Sequence, residues 1–160
     1  MDAVLKAVYR KDRDEILKLS RKRALNQRDE DGRTPLMHAV LAEDADPDIV
    51  RLLIDCGVEV NARDSGQSWT ALHFAARDQK PEVVEVLLEK GAEVDAEDSF
   101  GNTPLWRSVL TFGPGQGMDT VALLLRAGAN PKRKNRHDVS PIDLARTKGA
   151  EELALALERG

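Results

Sequence analysis

The stretch from Trp69 to Asp95, WTALHFAARDQKPEVVEVLLEKGAEVD, decides how this chain folds. Apolar residues come at helical spacing in two bursts, Leu72/Ala75/Ala76 and then Val83/Val84/Val86/Leu87/Leu88. Asp78 to Pro81 interrupts them, and Gly91 ends the second. The pattern predicts a helix, a tight turn and a second helix. Helices of about ten residues are marginal alone in water, so both need neighbours to cover their apolar faces.

Working outward, Thr34-Pro35-Leu36 precedes Thr70, Thr103-Pro104-Leu105 follows it, and Ser140-Pro141-Ile142 comes last. The same register aligns Gly57, Gly91 and Gly128, each just after an apolar helix. Thr70 and Thr103 are 33 residues apart, and the other intervals are 36 and 37. GRTPL, TALHFAA and GNTPL, with the tails GVEVNARD and GAEVDAED, resemble the ankyrin repeat over nearly the whole chain. The resemblance implies an all-α ankyrin-repeat solenoid of stacked antiparallel helix pairs with projecting β-turn or hairpin loops. The expected organisation is a single domain, 1–160: capping helices 1–28, repeats 29–63, 64–97 and 98–134, and a C-terminal capping repeat 135–160.

The cap readings are local. Asp2 is placed to cap a first helix, and Ile16, Leu17 and Leu19 share one side of a second whose surface is rich in Lys and Arg, as a solvent-facing end repeat requires. At the other end Arg146 stands where the second repeat has Ala76, and Asp138 where earlier turns have Gly32 and Gly101. Three departures from regularity lie between. Repeat 1 carries the acidic loop EDADPD, the turn Asp64 to Trp69 is one residue longer than the repeat spacing, and LTFGPGQGMD is four residues longer than its counterpart in repeat 2. Loop 110–118 reads either as a binding insertion or as extra surface chain, which costs little to close.

Composition limits the function classes. Apolar residues make up 41% and aromatics 4%, which suits a thin core of Ala, Val and Leu. With 24 basic and 28 acidic side chains the net charge is −4, giving no global case for nucleic acid or an anionic membrane. No apolar run is long enough to span a bilayer, and the N-terminus lacks a secretory apolar core. One cysteine, Cys56, makes no internal disulfide and fits a reducing compartment. A cytoplasmic protein, monomeric when free, is expected.

No cofactor, metal or catalytic group emerges. Three histidines fall at no metal-ligand spacing, GPGQG lacks a following Lys-Ser/Thr, and the carboxylate pairs fall on helix starts and solvated turns. His73 matches the histidine of the TPLH-type motif, whose role in the family is structural hydrogen bonding. The expectation is a non-enzymatic protein.

The resemblance implies a cupped surface of turns and first helices that carries recognition. Its turn positions here include Asp31, Arg33, Gln67, Trp69, Phe100, Asn102, Arg136 and His137. Its first-helix positions include Phe74, Arg77, Asp78, Trp106 and Arg107, with Phe112 extending an aromatic strip toward the long loop. Trp69 and Phe100 are expected to project as anchors, where truncation costs about 2 kcal/mol or more; the alternative for Trp69 is that it folds back over its own turn. Phe74 and Trp106 read equally as partly buried. The cluster Arg126, Lys132, Arg133, Lys134 and Arg136 suits an acidic protein surface, less well a nucleic acid or polyanion, or is a solvated charge run. The expected partner is another protein. A chain made almost entirely of repeats resembles small stand-alone ankyrin inhibitors and adaptors, including bacterial immunity proteins; a structural subunit of an assembly is the remaining alternative.

Overall fold

A computed structural model describes residues 2–21 and 25–160. The expected cap 1–28 includes Met1 and Lys22 to Ala24, which lie outside the described residues. Among the described residues the chain forms ten helices and no strand. They pair as α1 (Ala3–Tyr9) with α2 (Arg13–Arg21), α3 (Pro35–Leu41) with α4 (Pro47–Asp55), and α5 (Ala71–Arg77) with α6 (Pro81–Glu89). Next come α7 (Pro104–Thr111) with α8 (Asp119–Arg126), and α9 (Pro141–Thr147) with α10 (Glu151–Arg159). The odd-numbered helices pack on one another in one layer, and α2, α4, α6 and α8 form the second.

The helix starts follow from their sequence. Thr34, Thr103 and Ser140 accept a hydrogen bond from the amide three residues on, and Pro35, Pro104 and Pro141 fill the first helical position, where no amide is missed. Asp46 caps α4 through the amide of Asp48. Asp2 precedes α1 but makes no side-chain cap bond, and its carbonyl accepts from the amide of Lys6.

Between the two layers lies a continuous core that includes Leu36, Val40, Leu53, Leu72, Ala75, Leu87, Leu105, Val109, Leu124 and Leu153. At roughly 25 cal/mol per Å² of apolar surface removed from water, this burial is what the short helices lack in isolation. Within α2, Ile16 and Leu19 are buried, but Leu17 faces solvent, so the expected three-residue apolar side narrows to two.

The tips of the turns are joined to one another. The amide of Ser65 donates to the carbonyl of Asp31 at 2.9 Å, that of Ser99 to Gln67 at 2.8 Å, and that of Arg136 to Phe100 at 2.9 Å. Gly101 has φ +75, and a Cβ there would lie 3.1 Å from the Arg136 amide, so the close approach of neighbouring tips also demands glycine. Ser68 (φ 59) and Asp138 (φ 62) take the same left-handed place in their turns.

Where two first helices end without a left-handed cap, lysines from the following repeat close them. Lys80 Nζ donates to the carbonyls of Val40 and Ala42, both at 2.7 Å, at the end of α3. Lys148 Nζ donates to Val109, Leu110 and Phe112 at 2.9, 2.6 and 2.7 Å, closing α7 at the root of the long loop. These bonds meet carbonyls that a helix C-terminus otherwise leaves open.

Candidate interaction face

Each turn is built on an acidic or amide side chain that holds its own backbone. Asp29 Oδ1 accepts from the amides of Asp31 and Arg33, Asp64 Oδ1 from Gln67 and Trp69, Asp98 Oδ1 from Phe100 and Asn102, and Asn135 Oδ1 from His137 and Val139. In two repeats the fourth residue of the next helix grips the other carboxylate oxygen. His38 Nε2 lies 2.8 Å from Asp29 Oδ2, and Arg107 forks onto Asp98 Oδ2.

The Asp98–Arg107 pair is almost wholly covered, with side-chain exposures of 0% and 12%. Burial alone would raise the Asp98 carboxyl, but bonds from Arg107 and from the amides of Asn102 and Phe100 outweigh it and hold the group below its ordinary value. Asn102 is itself buried: its Nδ2 donates to Asp98 and its Oδ1 accepts from Asn135 Nδ2 at 2.7 Å. It therefore ties repeat 3 to the last repeat and is not the exposed turn residue expected.

Trp69 is also placed differently from expectation. Its side chain is 7% exposed and belongs to the core, so the projecting anchor becomes a buried one. It precedes the helix cap Thr70, and its ring lies 5.0 Å from that of Phe74, the fourth helical residue. That is the spacing of a hydrophobic staple, in which the residue before the cap packs on the fourth residue of the helix. The signal was present in the sequence, in the order Trp69, Thr70, Phe74. Phe74 is buried as well, so of its two readings, surface and burial, the structure shows burial.

Above these rings runs a ladder of guanidiniums and aromatics. Arg33 lies 5.9 Å from the Phe74 centroid, Arg77 5.5 Å from Phe74 and 5.3 Å from Trp69, and Arg107 4.5 Å from Trp69 and 5.4 Å from Trp106. Arg77 also forks onto Asp78, and Arg33 pairs with Asp31 at 3.2 Å. Cation–π contacts of this kind contribute about 0.5 to 2 kcal/mol each, depending on desolvation. Arg33, Arg77 and Asp78 thus share a face with Trp106 and Arg107, while Trp69 and Phe74 support it from below.

Phe100 does project, at 45% exposure, and its ring stacks on His137 across the joined tips at 6.5 Å. Between this pair and α7 and α9 opens a groove of about 510 Å³ whose walls include Phe100, His137, Trp106, Val139 and Leu144. His73 ties α5 to the next turn by bonding the Asn102 carbonyl at 3.1 Å, and burial pushes its pKa down to about 4. Trp106, at the equivalent position of α7, makes no such bond, and its indole N–H has no partner among the described residues.

Phe112 packs partly against the core rather than extending the strip as a free surface ring. The basic cluster is less open than its sequence implies. Arg133 pairs with Glu97, and Lys134 with Asp138. Arg136 is exposed beside Ser99 and Glu97, on a different rim from the groove.

Stacked helix pairs whose turns and first helices share one face form a repeat scaffold for binding. A family model described as ankyrin repeats, in three copies, matches residues 41–135, more than half of the chain, and the chain belongs to that family. Ankyrin repeats are generally protein–protein interaction modules and are typically non-enzymatic. No helix among the described residues is long and apolar enough to cross a membrane.

Proposed function

We propose that this chain binds a partner protein through its turns and first helices and acts by occupancy alone, as an inhibitor, immunity-type or adaptor protein. In this reading it is a cytoplasmic monomer when free. The observation that carries the reading is the Arg–aromatic ladder continuing into the exposed Phe100–His137 pair. Arginine and aromatic residues are the types that concentrate binding energy at interfaces. Their supports are fixed before any partner arrives, by buried Trp69, Phe74 and Asn102 and by the tip-to-tip backbone bonds, and such preorganisation lowers the entropy cost of association.

The proposed contact surface comprises Asp31, Arg33, Gln67, Arg77, Asp78, Phe100, Trp106, Arg107 and His137, with Arg136 on the outer side of the tips. Quantitative co-purification from the native source, comparing the wild type with Phe100→Ala/His137→Ala, tests it. A partner present with the wild type and depleted about tenfold or more with the variant, at matched thermal stability, supports the surface. Equal recovery of the same partner refutes it.

A further inference from the structure

A hydrogen-bond account of the groove between repeat 3 and the last repeat shows which chemistry it can accept. The side-chain oxygens in its wall are engaged: Gln67 Oε1 accepts from Arg107 at 3.3 Å, Asn102 Oδ1 from Asn135, and Asn135 Oδ1 from the amides of His137 and Val139. The Thr147 hydroxyl bonds the Asp143 carbonyl at 2.8 Å. None of the described residues lining the groove is acidic, and the nearby Asp98 carboxylate is fully covered. Asp138, next in sequence to His137, is engaged by Lys134 at 3.0 Å.

What remains are donors. Arg107 uses Nε and Nη2 on Asp98 and Gln67, which leaves Nη1, and the Gln67 carboxamide keeps its N–H groups. These two side chains touch each other through Arg107 Nη2 and Gln67 Oε1, which brings their free donors to the same part of the groove wall. Beside them are the rings of Phe100, Trp106 and His137 and the aliphatic Val139 and Leu144. An apolar cleft whose side-chain oxygens are engaged and whose free groups, the His137 ring apart, are donors complements a group that brings apolar surface and a negative charge together. The groove at the other end differs, with Asp2, Asp29, Glu30 and Asp31 in its wall beside Arg28 and Arg33.

We infer that the groove anchors a partner segment in which an aromatic or leucine side chain stands next to an aspartate or glutamate. The apolar side chain lies among Phe100, Trp106 and Leu144, and the carboxylate meets Arg107 Nη1 and Gln67 Nε2. This rests on the protein-binding reading and specifies the partner's chemistry at one site.

The test is selection of a displayed library of random 12-residue peptides on the full chain, followed by titration of the best synthetic peptide. Enriched sequences should pair Phe, Trp, Tyr or Leu with Asp or Glu within one or two positions. Affinity should fall about tenfold when the peptide's acid becomes its amide, and about tenfold with Phe100→Ala/His137→Ala. Gln67→Glu should weaken the acidic peptide but not its amide form. Enrichment of basic or uncharged sequences, no enrichment above background, or unchanged affinity in the groove variants overturns the assignment. So does tighter retention of a 12-nucleotide single-stranded DNA than of any selected peptide, which would favour nucleic acid. If the native partner is still captured through Phe100 and His137 while the peptide result fails, the acidic-segment chemistry falls and the protein-binding reading stands.

Discussion

Truncating Trp69 to alanine removes an indole that packs on Phe74 and His73 and lies beneath the guanidiniums of Arg77 and Arg107. A loss of about 3 to 5 kcal/mol is expected by chemical denaturation. Phe100→Ala, at an exposed site with its backbone bond to Arg136 retained, should stay within about 0.5 kcal/mol of wild type. The contrast separates framework from surface at two aromatics that the sequence alone places alike. His73 gives a pH signature. Burial lowers its pKa from 6.5 to about 4, so between those values the unfolded chain binds a proton that the folded chain excludes. This contribution to stability is complete above about pH 6.5 and is lost as pH falls to about 4, by about 3 kcal/mol. Denaturation at a series of pH values should show that slope for the wild type and lose it in His73→Gln. The turn of Trp69 reads as a projection or as a fold-back, and the staple spacing to Phe74 is the local signal for its buried place, whereas nothing local in the sequence marks Asn102 as the buried bridge between Asp98 and Asn135.

At the scale of elements, the Thr-Pro starts and terminal glycines made the helix pairs legible, because capping acts within a few residues. The cross-repeat closures were not legible. Lys80 reaches carbonyls about 40 residues back in the chain and Gln79 Nε2 donates to Ser108 in the following repeat, contacts that exist only once the stack is formed. Lys80→Met should cost about 1.5 to 3 kcal/mol, since charge-assisted bonds to the end of α3 are lost and those carbonyls are left half-covered. Faster amide exchange over residues 38–46 than elsewhere in the same variant would identify the mechanism. The lengthened turn of repeat 2 offers the opposite change. Ser68 holds a left-handed conformation where the turns of repeats 1 and 3 have Gly32 and Gly101, so Ser68→Gly should gain about 1 kcal/mol in the same denaturation assay.

Across the whole molecule, stability in a stack of this kind is a sum of repeat and nearest-neighbour terms, and the joined tips add a second line of such terms alongside the helices. They also fix the spacing of the turns that form the proposed interaction face. The charge pattern at the C-terminal tips is partly neutralised within the chain by Glu97 and Asp138, which argues for oriented contact with a protein over a general polyanion site. In the proposed function the partner sits on the turns and first helices. Amide exchange mass spectrometry of the chain alone and bound to the co-purified partner measures this directly. Protection is predicted at the tips and first helices, residues 64–78, 98–111 and 135–147, with α4, α6 and α8 unchanged. Protection confined to α4, α6, α8 and α10 would contradict it.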